Sequence, residues 1–162
     1  MRAAVITVSD RSAAGTRDDL AGPVAVEALR AAGFDCDAPT IIPDGAEPVR
    51  NELVRALAAG ARLVVTSGGT GIAPRDRTPE GTAEVLEREI PGIPEELRRV
   101  GAAVAPGGLL SRGLAGIAGR ALVVNLPGSP AAVRDGIAVV LSVAGHVLEQ
   151  LDGADHPGTD HA

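Results

Sequence analysis

The chain has 162 residues, 45% hydrophobic and 22% charged, and 21 acidic against 15 basic side chains leave a formal charge of −6. That length and composition suit one globular core without metal or disulfide staples, and the acidic balance argues against a nucleic-acid partner. A lone cysteine, Cys36, excludes an internal disulfide or cysteine-zinc cluster, and a single aromatic, Phe34, means that any ring-shaped ligand must be held by peptide faces and aliphatic walls.

Residues 3–8 form a short apolar run rich in β-branched side chains and read as a buried first strand. A helix begins near Gly22-Pro23, carries Val24 and Leu29 at helical spacing and stops at Gly33. Residues 34–42 supply a second strand, with Cys36 as a small buried hydrophobe. In residues 48–59, Val49, Leu53, Val54 and Leu57 share one helical face and Gly60 marks the end. Residues 63–66 make a third strand and residues 79–88 a further helix. The Pro/Gly-rich stretch 90–119 breaks the rhythm and reads as an insertion over the site or at a subunit contact, with a short helix at 94–100. Residues 121–124 give another core strand and 130–151 a long closing helix. A single domain over 1–151 is expected, with a polar, mobile tail over 152–162. The amino-terminal MRAAVITVSD lacks the core of a signal peptide and no uninterrupted apolar run approaches a membrane span, so a cytoplasmic protein with no membrane partner is expected.

Strands alternating with helices imply a parallel sheet covered on both faces, with ligands at the carboxyl ends of the strands. Four loops begin at such ends. The richest, VVTSGGTGIAPRDRTPE at residues 64–80, runs from a strand through Gly68, Gly69 and Gly71 to an acid, Asp76, and then a helix start at Thr78-Pro79. Closely spaced glycines let backbone N–H groups approach an anion. A carboxylate beside the same loop would repel a bare phosphate unless a divalent cation lay between them, which points to magnesium-assisted phosphate chemistry. The loop matches neither the P-loop nor the dinucleotide fingerprint, lacking the Lys-Ser/Thr of the first and the glycine spacing of the second. A second loop, Asn125-Leu126-Pro127-Gly128-Ser129-Pro130, places Ser129 as a helix cap and Pro130 in the first turn, where free N–H groups face an anion.

With these blocks in place, the chain resembles the molybdopterin adenylyltransferase family, the Mog/MoaB type of molybdenum cofactor biosynthesis protein related to the gephyrin G domain. The resemblance rests on Ser9-Asp10-Arg11, Ile42-Pro43-Asp44, the block from Gly68 to Glu80, and Asn125 to Pro130, in the family's order and over all but the tail. GGTG followed by Asp-x-Thr-Pro-Glu is its most specific part. It implies a three-layer α/β/α fold with a mostly parallel central sheet, the molybdopterin-binding-like fold. It also implies transfer of AMP from ATP to the terminal phosphate of molybdopterin, with Mg²⁺ as cofactor and ATP and molybdopterin as substrates. A non-catalytic molybdopterin carrier and, more remotely, a CinA-like nucleotide hydrolase stay open as alternatives. The family's habits imply a homo-oligomer, a trimer or hexamer, and a molybdotransferase as partner.

Carried over position by position, Asp44 and Asp76 are the expected catalytic pair and magnesium ligands, although an Asp after proline and ahead of a helix also serves as a cap. Ser67, Gly68, Gly69, Thr70 and Gly71 are expected to cradle phosphate or the pterin side, and Ser9, Asp10 and Arg11 to meet the nucleotide, Arg11 being equally readable as a solvated charge. Asn125, Pro127, Gly128 and Ser129 form another wall. Ser111 and Arg112 match a family pattern and are assigned a supporting contact to the pterin phosphate. Thr78 belongs to the substrate-binding block and is also the preferred cap of the helix at Pro79. Arg75 and Arg77 flank Asp76 and read as surface charge, and Glu80 as first-turn charge on its helix rather than a general base.

Overall fold

The computed structural model describes residues 1–153. In chain order the elements are β1 (Arg2–Val8), α1 (Asp10–Ala13), α2 (Ala21–Ala31), β2 (Asp35–Cys36), β3 (Thr40–Ile42), α3 (Ala46–Ala58), β4 (Leu63–Ser67), α4 (Thr78–Ala83), β5 (Arg88–Glu89), α5 (Gly92–Val104), β6 (Ala115–Ala118), β7 (Ala121–Leu126) and α6 (Pro130–Leu151), with a 3-10 segment at Pro106–Leu110. The sheet runs β2-β1-β4-β7-β6-β5, and β3 also pairs with β1. β1, β2, β3, β4 and β7 are parallel, while β6 and β5 extend the sheet antiparallel beyond β7. The fold is thus α/β with a mostly parallel sheet, as the alternation of strands and helices implies.

Side-chain alternation divides the core in two. Ala3, Val5, Leu63, Val65, Leu122, Val124 and Leu126 point to the face covered by α2, α5 and α6. Ile6, Val8, Val64 and Val123 point the other way, onto Val49 and Leu53 of α3. Leu53, Leu63 and Leu122 are completely buried, each burial contributing about 2 kcal/mol of transfer free energy. α6 is long and apolar enough, by length and composition alone, to cross a membrane. It packs instead as a core helix, with Val133, Ile137, Val140, Ala144 and Leu148 buried along one stripe against the sheet.

Four boundaries differ from those expected. The strand read over 34–42 is two strands, because Asp37-Ala38-Pro39 intervenes and Pro39 has no N–H to give a ladder. The helix read over 79–88 closes at Ala83, and the chain then turns to pair with β6, Glu87 N donating to Ile117 O at 2.8 Å. The stretch 90–119 is no mere insertion: it holds the 13-residue α5, longer than the helix expected at 94–100, and the β6 strand. Gly119, at φ +57°, makes the tight turn between β6 and β7. Asp152, expected to open a mobile tail, caps α6 and accepts hydrogen bonds from Arg62 and Arg120. The rest of that tail, from residue 154, lies outside the described residues.

Candidate functional site

The loops after β1, β3, β4 and β7 meet at the carboxyl edge of the parallel strands. The first two interlock: Asp10 N donates to Asp44 Oδ2 at 2.9 Å and Asp44 N to Asp10 Oδ1 at 3.1 Å. Ser9 caps the short α1, its Oγ accepting from Ser12 N at 3.2 Å. Arg75 reaches across from the glycine loop and grips Asp10 with two nitrogens, one of which also donates to the Asp44 carbonyl at 3.2 Å. The hydrogen bond from Arg75 holds the Asp10 carboxyl below the usual carboxylate range. Arg75, expected as plain surface charge, therefore ties the acid-bearing loops together.

The glycine loop is shaped by two residues in left-handed backbone, Gly68 at φ +102° and Gly69 at φ +66°. A Cβ on Gly69 would lie 2.3 Å from Thr78 Oγ1 and 3.3 Å from Asp44 Oδ1, so only glycine lets Asp44 lie so close to the loop. Asp76 folds back on the loop, its Oδ2 accepting from Ala73 N at 3.0 Å. Gly128, on the loop after β7, packs against Gly68; a Cβ there would sit 3.2 Å from Gly68 Cα. Ser129 caps α6, accepting from Ala132 N at 3.1 Å.

Two cavities flank this glycine loop. A polar one of about 400 Å³ is lined by Ser9, Asp10, Arg11, Asp44 and Ser67 among others. An apolar one of about 490 Å³ takes in Thr70, Gly71, Ser111, Pro127 and Ser129, with Leu97, Val100, Val104 and Leu110 as its walls. Gly68, Gly69, Asp76 and Gly128 line both, so the glycine loop is the partition between them. Among the described residues no three His, Cys, Asp or Glu side chains are grouped to hold a metal by themselves. Asp44 and Asp76 nonetheless share the polar cavity, and each keeps one carboxylate oxygen without a hydrogen bond among the described residues. Two carboxylates with the remaining positions left to phosphate and water is the donor set that suits Mg²⁺.

Residues 4–146 match the family described as "Probable molybdopterin binding domain". The chain belongs to that family. Within this molybdopterin-binding family it is 36% identical over 152 residues to a molybdopterin adenylyltransferase of Haemophilus influenzae, covering 91% of this chain and 77% of that protein. It is 37% identical to a molybdenum cofactor biosynthesis bifunctional protein of Chlorobaculum tepidum, covering 96% of this chain but 50% of the relative, so the chain spans about half the length of such relatives. A solved structure of MogA aligns with a TM-score of 0.90 at 46% identity, covering 93% of this chain and 99% of that one.

Three residues expected to touch substrate line neither cavity and instead hold the loops from behind. Arg112 donates from Nε to Gly71 O at 2.8 Å, from Nη2 to Asp76 O at 2.7 Å, and from Nη1 to Glu80. Most of its donors brace the glycine loop and the start of α4, a role beside the expected phosphate contact. Thr78 is fully buried and is the first residue of α4, not its cap; its hydroxyl donates to Gly68 O at 2.9 Å. Asn125 is also buried: its amide donates to Thr66 Oγ1 at 3.0 Å and Thr82 Oγ1 at 2.9 Å, and its carbonyl accepts from Leu114 N at 3.0 Å. Asn125→Ala should cost on the order of 3 kcal/mol by stranding these buried groups, measurable by denaturant unfolding.

Glu80 is more than helix-end charge. The hydrogen bond from Arg112 lowers its carboxyl below the ordinary glutamate range. A lowered folded value means that the pair's stabilisation is fully present above the unfolded glutamate titration, about pH 4.3, and is lost as pH falls through the lowered value. The melting-temperature difference between the native chain and Glu80→Gln should therefore hold constant near neutrality and shrink in acid.

Sequence reasoning missed Asp19 and the role of Arg75. Asp19 lines the polar cavity, caps α2 by accepting from Gly22 N at 2.9 Å and Ala21 N at 3.1 Å, and accepts from Thr7 Oγ1 at 2.7 Å. Its signal was in the sequence: an acid shortly ahead of Gly22-Pro23 at a helix start.

Proposed function

We propose that the chain transfers AMP from Mg-ATP to the terminal phosphate of molybdopterin. The observation that carries this reading is the glycine loop with Asp76 standing as a common wall between an acid-lined cavity and an aliphatic one. A magnesium-bound nucleotide polyphosphate suits the first, and a fused ring the second, where walls of Leu97, Val100 and Val104 replace absent aromatics. The two reacting groups then meet at the partition.

No nucleophile from the chain is needed. A phosphate oxygen of molybdopterin forms a bond to the α-phosphorus of ATP, the bond from that phosphorus to the bridging oxygen breaks, and pyrophosphate leaves with the electron pair. Asp44 and Asp76 would hold Mg²⁺, which when bound supplies charge neutralisation between the two polyanions. Among the described residues the N–H groups of Gly69, Thr70 and Gly71 make no backbone hydrogen bond, and the amino end of α6 lies alongside. These fixed donors stabilise charge on the transferring phosphoryl oxygens, and holding both substrates in line removes most of the entropic barrier. Arg75 and Arg112 keep the acids and the loop in register. A carrier would need only the aliphatic cavity; the acid-lined cavity across the glycine loop from it favours transfer.

The reading extends to a cytoplasmic homo-oligomer that passes its product to a molybdotransferase. Calorimetry tests it: molybdopterin should bind as readily in the presence of Mg²⁺ and a non-hydrolysable ATP analogue as alone. Mutual exclusion of the two ligands would contradict it.

A further inference from the structure

The aliphatic cavity holds one charged side chain that no part of the proposed chemistry uses. From α6, Ser129, Ala132, Asp135 and Gly136 face the cavity, opposite Leu97, Val100, Gly101 and Val104 of α5. Among the described residues Asp76, at the glycine loop, is the only other ionisable side chain in that lining. Asp135 is exposed, and among the described residues its carboxylate takes part in no hydrogen bond or ion pair. It neither caps the helix, a task Ser129 performs, nor braces a loop. Six residues of helical rise place it about 9 Å along α6 from Ser129.

An anion that far along α6 from its capped amino end gives the cavity two unlike ends. N–H donors and the helix terminus attract phosphate at one end; an acceptor-only carboxylate repels phosphate at the other and seeks paired donors. Taking the proposed function as its basis, we propose that Asp135 reads the aminopyrimidinone edge of the pterin. Its two oxygens accept the ring N3–H and one hydrogen of the 2-amino group side by side. This is the two-point geometry that a carboxylate also makes with a guanidinium. Asp135 is thereby a specificity-determining residue that turns the ring so that the phosphate end of the substrate reaches the loop.

Lumazines carry a carbonyl where pterins carry the 2-amino group, and so set an acceptor against the carboxylate. A site that hydrogen-bonds a donor rejects the analogue lacking it. Fluorescence titration with pterin-6-carboxylate and lumazine-6-carboxylate reads this directly. The native chain should prefer the pterin by about 10- to 100-fold. Asp135→Asn, whose amide offers a donor to the lumazine carbonyl, should abolish or invert the preference. Asp135→Glu should keep part of it. Melting temperature and Mg-ATP-analogue binding should be unchanged in all three chains, which separates recognition from damage to the fold. Native-like preference and native-like molybdopterin affinity in Asp135→Asn would overturn the inference while leaving the proposed function standing. A native chain that fails to bind molybdopterin itself would overturn both.

Discussion

Asp76→Asn is expected to lower adenylyl transfer by about 100- to 1,000-fold while leaving folding and molybdopterin affinity close to native. The asymmetry follows from what the side chain does inside the protein. Its one internal hydrogen bond is accepted by Oδ2 from Ala73 N at 3.0 Å, and an asparagine carbonyl can accept the same bond. The turn that shapes the glycine loop therefore survives. What disappears is the negative charge on the partition between the cavities, and with it half of the proposed magnesium site. A loss confined to kcat, with KM for molybdopterin within about threefold of native, is the pattern of an interaction made only in the transition state. Turnover of the variant within about threefold of native would remove Asp76 from the mechanism. Steady-state kinetics at saturating Mg²⁺, with melting curves on the same preparations, decides between these.

Gly68→Ala is expected to have the largest effect on stability, on the order of 3 kcal/mol or about 10 °C in melting temperature, and to abolish transfer. Gly68 stands at φ +102°, where side chains other than hydrogen are strained, and a Cβ there would fall 2.3 Å from the carbonyl oxygen of Val8. That oxygen is backbone at the end of the central β1, so relief requires the loop to part from the sheet. Gly60→Ala provides the comparison. Gly60 also has a left-handed φ, +88°, but a Cβ there meets nothing within 4 Å. It should cost only the conformational strain, roughly 1–2 kcal/mol, and leave transfer intact. Equal destabilisation by the two substitutions, measured by chemical unfolding, would show that the contact with Val8 carries no weight.

The parts of the fold that the sequence made legible are those whose burial is written in long apolar runs. β1, β4 and β7 are buried throughout most of their length and read as continuous hydrophobic segments. β5 is two exposed residues, and β6 is Ala-Gly-Ile-Ala, small side chains with one β-branched member, so neither announces itself as a strand. β6 is placed by pairing with β7 and β5 by pairing with β6, which is tertiary information. α5 was read short because Gly101 lies in its last turn; that glycine is where the 3-10 segment packs against the helix, with Gly108 directly against its backbone.

At the site, the four loops were legible and the division of labour within them was not. Resemblance carries over whole blocks, and it cannot separate a residue that faces a ligand from one that holds the loop. Arg112 and Asn125 find their partners 32 to 59 positions away, at Glu80 and Thr66. Arg75 sits in a turn closed by Asp76 N donating to Ala73 O at 2.9 Å, not in the extended loop that alternation assumes; its partner, Asp10, is 65 positions distant on another strand end. Asp135 carries no motif at all, and only the shape of the cavity brings it forward.

The proposed reaction brings molybdopterin and ATP together at the glycine loop and joins them. Its most direct test is to mix the purified protein with molybdopterin, ATP and Mg²⁺ and to follow adenylylated molybdopterin by mass spectrometry alongside pyrophosphate release. Formation of both products in equal amounts, dependent on pterin and on Mg²⁺, is the predicted result. Tight molybdopterin binding by folded protein with neither product would contradict the account and make the chain a carrier.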